Sequence, residues 1–198
     1  MPPRPFDWGS SFLQVIHYSS HIQRYPTDEE IIAYSKWAKV LEMHSWVWQN
    51  RYDENAKDEK GNKFPTYGDY SYCPQNDKWI PDNETEFKRV INTAHAYGMR
   101  VLPYVSTEYK KDVDSKIFIA EIKRLKDIYN IDGVYLDGLF YQRPELGYAS
   151  ARSLREIFGE SGWITIHDTH GSGYWAPFID AYMDYTITSE HHSFDRWA

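Results

Sequence analysis

Two acids stand out by where they fall. Asp137 closes the run "IDGVYLDGLF" (Ile131 to Phe140), in which an apolar strand leads directly into a carboxylate and a glycine. Glu190 closes a second such run, "TITSEHH". A carboxylate at the end of a core strand gains nothing from burial, so it either caps the next helix or faces a cavity. Two carboxylates facing one cavity can flank one bond, one as nucleophile and the other as proton donor. Asp168, in "HDTH", is a third acid and competes for the second role.

Histidines gather in the same places. His17, His44, His167, His170, His191 and His192 fall at strand ends, whereas His95 falls within a helix. Imidazoles there can hydrogen-bond substrate hydroxyls. Alternatively His167, Asp168, His170 and His191 could hold zinc, which favours two or three imidazoles with a carboxylate. The expected reading uses no metal and no cofactor. Trp46 and Trp48, near Gln49, can stack on a flat ligand face or pack beneath the helices. Trp48, nearer the strand end, is the better candidate for a ligand platform.

These residues need elements to hold them. Short apolar strands alternate with amphipathic helices: strands over Phe12–Tyr18, Val40–Gln49, Arg100–Ser106, Gly133–Asp137, Trp163–Thr169 and Asp184–His192. Between them, Thr27 with Glu30 forms a capping box ahead of Ile31, Tyr34, Trp37 and Ala38. A second helix begins at "DNETEF" and buries Phe87, Val90, Ile91 and Ala94, with Gly98 as its stop. Further helices are expected over Ser115–Tyr129 (burying Phe118, Ile122, Leu125 and Ile128), Ala149–Phe158 and Trp175–Tyr182. The aromatic segment from Asn50 to Asn83 is long for a loop, which points to a functional role. It is expected to form a cavity wall, with Trp79 among its ligand-facing residues.

Strands joined by helices make a parallel sheet. No glycine-rich phosphate fingerprint follows a strand. Polar residues follow nearly every strand instead, as at the mouth of a (β/α)8 barrel. The expected fold is therefore α/β: a parallel (β/α) barrel of about six βα units, apparently incomplete. A full barrel needs about 250 residues and this chain has 198, so residues 1–198 read as a single catalytic-type barrel domain cut short at its C-terminal end. The open edges of such a sheet invite self-association.

The net charge of −7, with no basic stripe, argues against nucleic acid as a partner. A single cysteine, Cys73, excludes an internal disulfide framework. No segment reads as membrane-spanning, and the first twenty residues lack a signal-peptide core. A cytoplasmic protein and an excerpt of a secreted one would read alike.

The segment "EFKRVINTAHAYGMRVLPYVS" resembles the helix–strand unit of α-amylase-like and α-galactosidase-like barrels, and "DGVYLDG" resembles their fourth strand. The similarity spans roughly residues 86–138 and is looser over 163–192. It implies a glycosidase acting on a carbohydrate substrate, with Asp137 as nucleophile. Glu190 stands where the α-galactosidase-like group keeps an aspartate as acid/base. The α-amylase pattern would place a glutamate on strand five, where this chain has Asp168. Tyr135 replaces the basic residue that α-amylases carry two positions before the nucleophile, which argues against a true α-amylase. His44, Tyr104, His167 and His191, with Trp48, Trp79 and Asp168, are the expected substrate-binding residues. Two rival readings use the same barrel: a carbohydrate-binding module without turnover, and a metal-dependent hydrolase built on the strand-end histidines.

Overall fold

The computed structural model describes residues 13–17, 24–44, 47–48, 52–53, 66–67, 78–107, 115–139, 143–167 and 176–187. Its elements in order are β1 (Gln14–His17), α1 (Asp28–Ser35), β2 (Val40–Met43), β3 (Tyr52–Asp53), β4 (Thr66–Tyr67), α2 (Glu84–Ala96), β5 (Arg100–Ser106), α3 (Ser115–Tyr129), β6 (Gly133–Asp137), α4 (Pro144–Phe158), β7 (Trp163–His167), α5 (Ala176–Asp180) and β8 (Tyr185–Ile187).

Six strands form one sheet in the order β1-β2-β5-β6-β7-β8, and every neighbouring pair is parallel. The order follows the chain without reversal, which separates this sheet from a doubly wound one. One hydrogen bond shows how strongly it curls. Thr165 Oγ1 on β7 donates to Gln14 Oε1 on β1 at 2.7 Å, although three strands lie between them in the sheet. In a flat sheet that separation would be roughly 19 Å at the usual strand spacing. The strands therefore wrap into the incomplete barrel expected from the sequence.

Alternation along each strand sorts the side chains. Leu41, Met43, Val101, Val105, Val134, Leu136, Ile164 and Ile166 point outward into the main core beneath the helices. Val40, Leu102 and Trp163 form a separate plug on the concave side, and Tyr104 and Tyr135 a second one. Burial on both faces explains why these strands read as nearly continuous apolar runs. Gly133 is required by that packing: a Cβ there would lie 1.5 Å from the Trp163 carbonyl oxygen and 2.8 Å from Leu102 Cδ2.

The helices form for local reasons. Thr27 and Glu30 make the expected capping box of α1. Asn83 caps α2 by accepting from the Glu86 N–H, and Phe87, Val90, Ile91 and Ala94 are all buried. Pro144 opens α4 five residues before the expected start; its fixed φ suits a first helical position. In α3, Phe118, Ile122 and Leu125 are buried, but Ile128 is exposed, one position off the buried stripe.

Strand β2 is shorter than its sequence suggests. It ends at Met43, and Trp48 instead makes an isolated antiparallel bridge to Pro81. The long segment after it contains a two-stranded antiparallel pair, β3 with β4, where no strand was expected.

Candidate functional site

All six strands are parallel, so their C-terminal ends share one side of the sheet. Asp137 is the last residue of β6, and Gly138 after it adopts a left-handed φ of 73°, a turn that glycine makes without strain. The helix α4 is preceded by Arg143, so the carboxylate does not cap α4. It is 8% exposed and its oxygens are held separately. Oδ2 accepts the Tyr104 hydroxyl hydrogen. Oδ1 accepts the Gly138 N–H at 2.8 Å and lies 3.5 Å from His167 Nδ1. Burial alone would push this carboxyl up. The bonds to His167 and Tyr104, with the His167 charge and the Gly138 N–H, outweigh burial and hold it below the usual aspartate value. Asp137 is thus kept ionised in a nearly dry setting.

A second acid lies on the same concave side. Glu42, on β2, is completely buried, and its Oε1 lies 2.8 Å from His44 Nδ1. Among the described residues its Oε2 has no hydrogen-bond partner. Burial pushes Glu42 up; His44 and His167 oppose that shift without cancelling it, and the Asp137 charge adds to it. His44 stands edge-on to Tyr104, ring centroids 4.6 Å apart, and to Tyr135 at 5.8 Å. Tyr104 and Tyr135 stack at 5.5 Å, and His167 lies 5.9 Å beyond Tyr135. The result is one cluster: Glu42, His44, Tyr104, Tyr135, Asp137 and His167.

Of the residues expected from sequence, the cluster unites Asp137, His44, Tyr104 and His167. Glu190, Asp168 and His191 lie outside the described residues, as do Trp46, His170 and His192. Of the four groups proposed for zinc, only His167 is described. Trp48 and Trp79 sit elsewhere. Trp48 is 2% exposed, donates its indole N–H to the Tyr104 carbonyl at 2.7 Å and packs on Phe87 of α2. Trp79 packs on Phe118 of α3, and its backbone N–H donates to Glu121 Oε1. Both belong to the main core between sheet and helices. Two further histidines are also held apart: His17 bonds the Arg24 carbonyl, and His95 bonds Asp132.

Sequence reasoning passed over Glu42. Its signal was a charged residue inside "VLEM", a strand buried along its whole length. Acids are almost never fully buried without a partner.

No protein-family model matches the chain, and no curated protein matches it in sequence. Solved structures do match. A chitinase from Bacteroides thetaiotaomicron aligns with a TM-score of 0.56 at 13% identity, covering 93% of this chain and 58% of that one. The maltogenic α-amylase AmyB from Thermotoga neapolitana aligns at 0.56 and 12% identity, covering 88% and 48%. An Anoxybacillus α-amylase aligns at 0.55 and 13%, covering 81% and 43%. The chain spans about half the length of these structures. The likeness is one of fold: a parallel (β/α) barrel, as in these chitinase and α-amylase structures.

Proposed function

We propose that this chain is the catalytic-type barrel domain of a retaining glycosidase, with Asp137 as nucleophile and Glu190 as general acid/base. The observation that carries the reading is Asp137 itself, held ionised at a strand end between Tyr104 and His167. Glycoside cleavage needs one ionised carboxylate beneath the sugar and one protonated acid beside the leaving oxygen. Glu190 follows three residues after the end of β8. Strand β7 alone separates β8 from β6, or roughly 10 Å between backbones. Side chains reaching inward can close that gap to the roughly 5 Å of a retaining pair. His44, Tyr104 and His167 supply hydrogen-bonding edges for sugar hydroxyls. Asp168 and His191 follow β7 and β8 in sequence and join them in this reading. The fold likeness to chitinases and α-amylases supports a carbohydrate as the substrate class.

The test is turnover of chito-oligosaccharides, malto-oligosaccharides and aryl α- and β-glycosides, with product anomers read by NMR. The full chain should cleave at least one with retention, Asp137→Asn should abolish cleavage with an unchanged circular dichroism spectrum, and Glu190→Gln should slow substrates with poor leaving groups most. An Asp137→Asn protein as active as the parent would end this reading. Sugar binding without any turnover would favour the non-catalytic module.

A further inference from the structure

Glu42 presents a problem in energetics. A fully buried carboxyl costs several kcal/mol unless it is well paired, yet among the described residues one of its oxygens has no partner. A purely structural β2 would be better served by leucine at that position. What Glu42 does have is His44, two residues on and just past the strand end. Alternation sends both side chains to the concave side, and the carboxylate meets the ring at Nδ1. With the Glu42 oxygen as the acceptor of that bond, the proton between them sits on Nδ1. That leaves Nε2 as the basic nitrogen. His44 in turn lies edge-on against Tyr104, the residue that donates to Asp137.

We infer that Glu42 is a positioning residue of this site: it fixes the ring orientation and tautomer of His44 and, through the His44–Tyr104 contact, keeps the Tyr104 hydroxyl on Asp137. The inference rests on the glycosidase reading for its kinetic consequences, but the structural part stands without it. Glu42 touches no substrate in this scheme. Among the described residues, the groups facing the pair are Tyr104 from β5, Tyr135 and Asp137 from β6, and His167 from β7.

The experiment compares Glu42→Gln and Glu42→Leu with the parent, using the full chain labelled with 15N-histidine. Long-range 1H–15N spectra report the His44 tautomer directly. The parent should show the proton on Nδ1. Glu42→Gln, which keeps an acceptor oxygen, should retain that tautomer while His44 titrates at lower pH. Glu42→Leu should lose it. On a substrate the parent cleaves, Glu42→Leu should lower kcat roughly 10- to 100-fold, as loss of an orienting partner does elsewhere, with KM changed less than about twofold, and Glu42→Gln should recover part of it. A parent His44 protonated on Nε2, or a spectrum unchanged in Glu42→Leu, overturns the inference. So does a changed spectrum with unchanged kcat. If Glu42→Leu does not fold, the His44 titration in Glu42→Gln decides. Failure of the glycosidase reading shows separately, as full activity in Asp137→Asn or no turnover by the parent, and the His44 spectra then decide this inference.

Discussion

Tyr104 reaches Asp137 from one layer below it. In the β5–β6 register Tyr104 pairs with Tyr135, and Ser106 pairs with Asp137. The Tyr104 ring stacks on Tyr135 and extends up the sheet, so that its hydroxyl meets the carboxylate two residues further along. A shorter residue at position 104 could not do this.

Removing that hydroxyl should therefore change both stability and titration. Tyr104→Phe deletes a buried bond to a charged group, a loss of about 1.5–3 kcal/mol, read by urea denaturation. The Asp137 carboxyl should rise. Because its folded value lies below the unfolded one, Asp137 stabilises the fold above the unfolded pKa, and that contribution disappears as pH falls through the folded value. Tyr104→Phe should bring this loss to higher pH, together with the acidic limb of the kcat/KM profile.

Trp48 offers a test of the opposite kind. Its indole N–H bonds the Tyr104 carbonyl and its ring packs on Phe87. Trp48→Phe should cost about 1–3 kcal/mol of stability through the unpaired carbonyl and lost packing. Affinity for sugar should be unchanged. Calorimetric titration showing a large loss of sugar affinity at unchanged stability would place Trp48 in the ligand wall after all.

At the other end of the sheet, Asp132 Oδ2 lies 2.7 Å from His95 Nε2 and accepts the Val101 N–H at 2.8 Å. The Asp132 bond raises His95 despite partial burial. A raised histidine stabilises the fold fully below its unfolded pKa, about 6.5, and that contribution disappears as pH rises through the folded value. The stability difference between the parent and His95→Gln should accordingly shrink from pH 6 towards alkaline pH. A difference that stays flat over that range would show the pair to be inert.

Arg155 is the largest fully buried side chain described. It bonds the Tyr182, Gly159 and Gly162 carbonyls and pairs with Asp184 at 2.5 Å; Asp184 in turn accepts the Ile164 N–H. This joins α4, β7 and the turn into β8. Arg155→Met should strand the Asp184 charge and cost about 3–5 kcal/mol, measured by chemical unfolding. Arg155→Met combined with Asp184→Asn should recover part of it.

The strands and helices were legible because their signals are local. The capping box at Thr27, the Phe87–Val90–Ile91–Ala94 stripe and the run ending at Asp137 each sit within one segment and one period. The polar strand ends then pointed to a barrel mouth, because parallel strands put every C-terminal end on one side. Where local signals competed, the reading slipped. "VLEMHSWVWQ" has the apolar character of one long strand, yet it ends at Met43, and Trp48 is drawn into the core against α2.

The neighbours of Asp137 could not be read this way. Gln14 and Thr165 meet across 151 residues, and Tyr104 and Asp137 across 33, because the sheet curls and its register aligns them. Neither curl nor register is written in any one segment. Glu42 shows the same limit from the other side. The sequence contains an acid in an apolar strand; that the acid faces inward, loses all its water and finds His44 depends on which face of β2 the curled sheet encloses. Burial and partnership are set by packing between distant segments, and they are what separates a carboxylate that reacts from one that only folds.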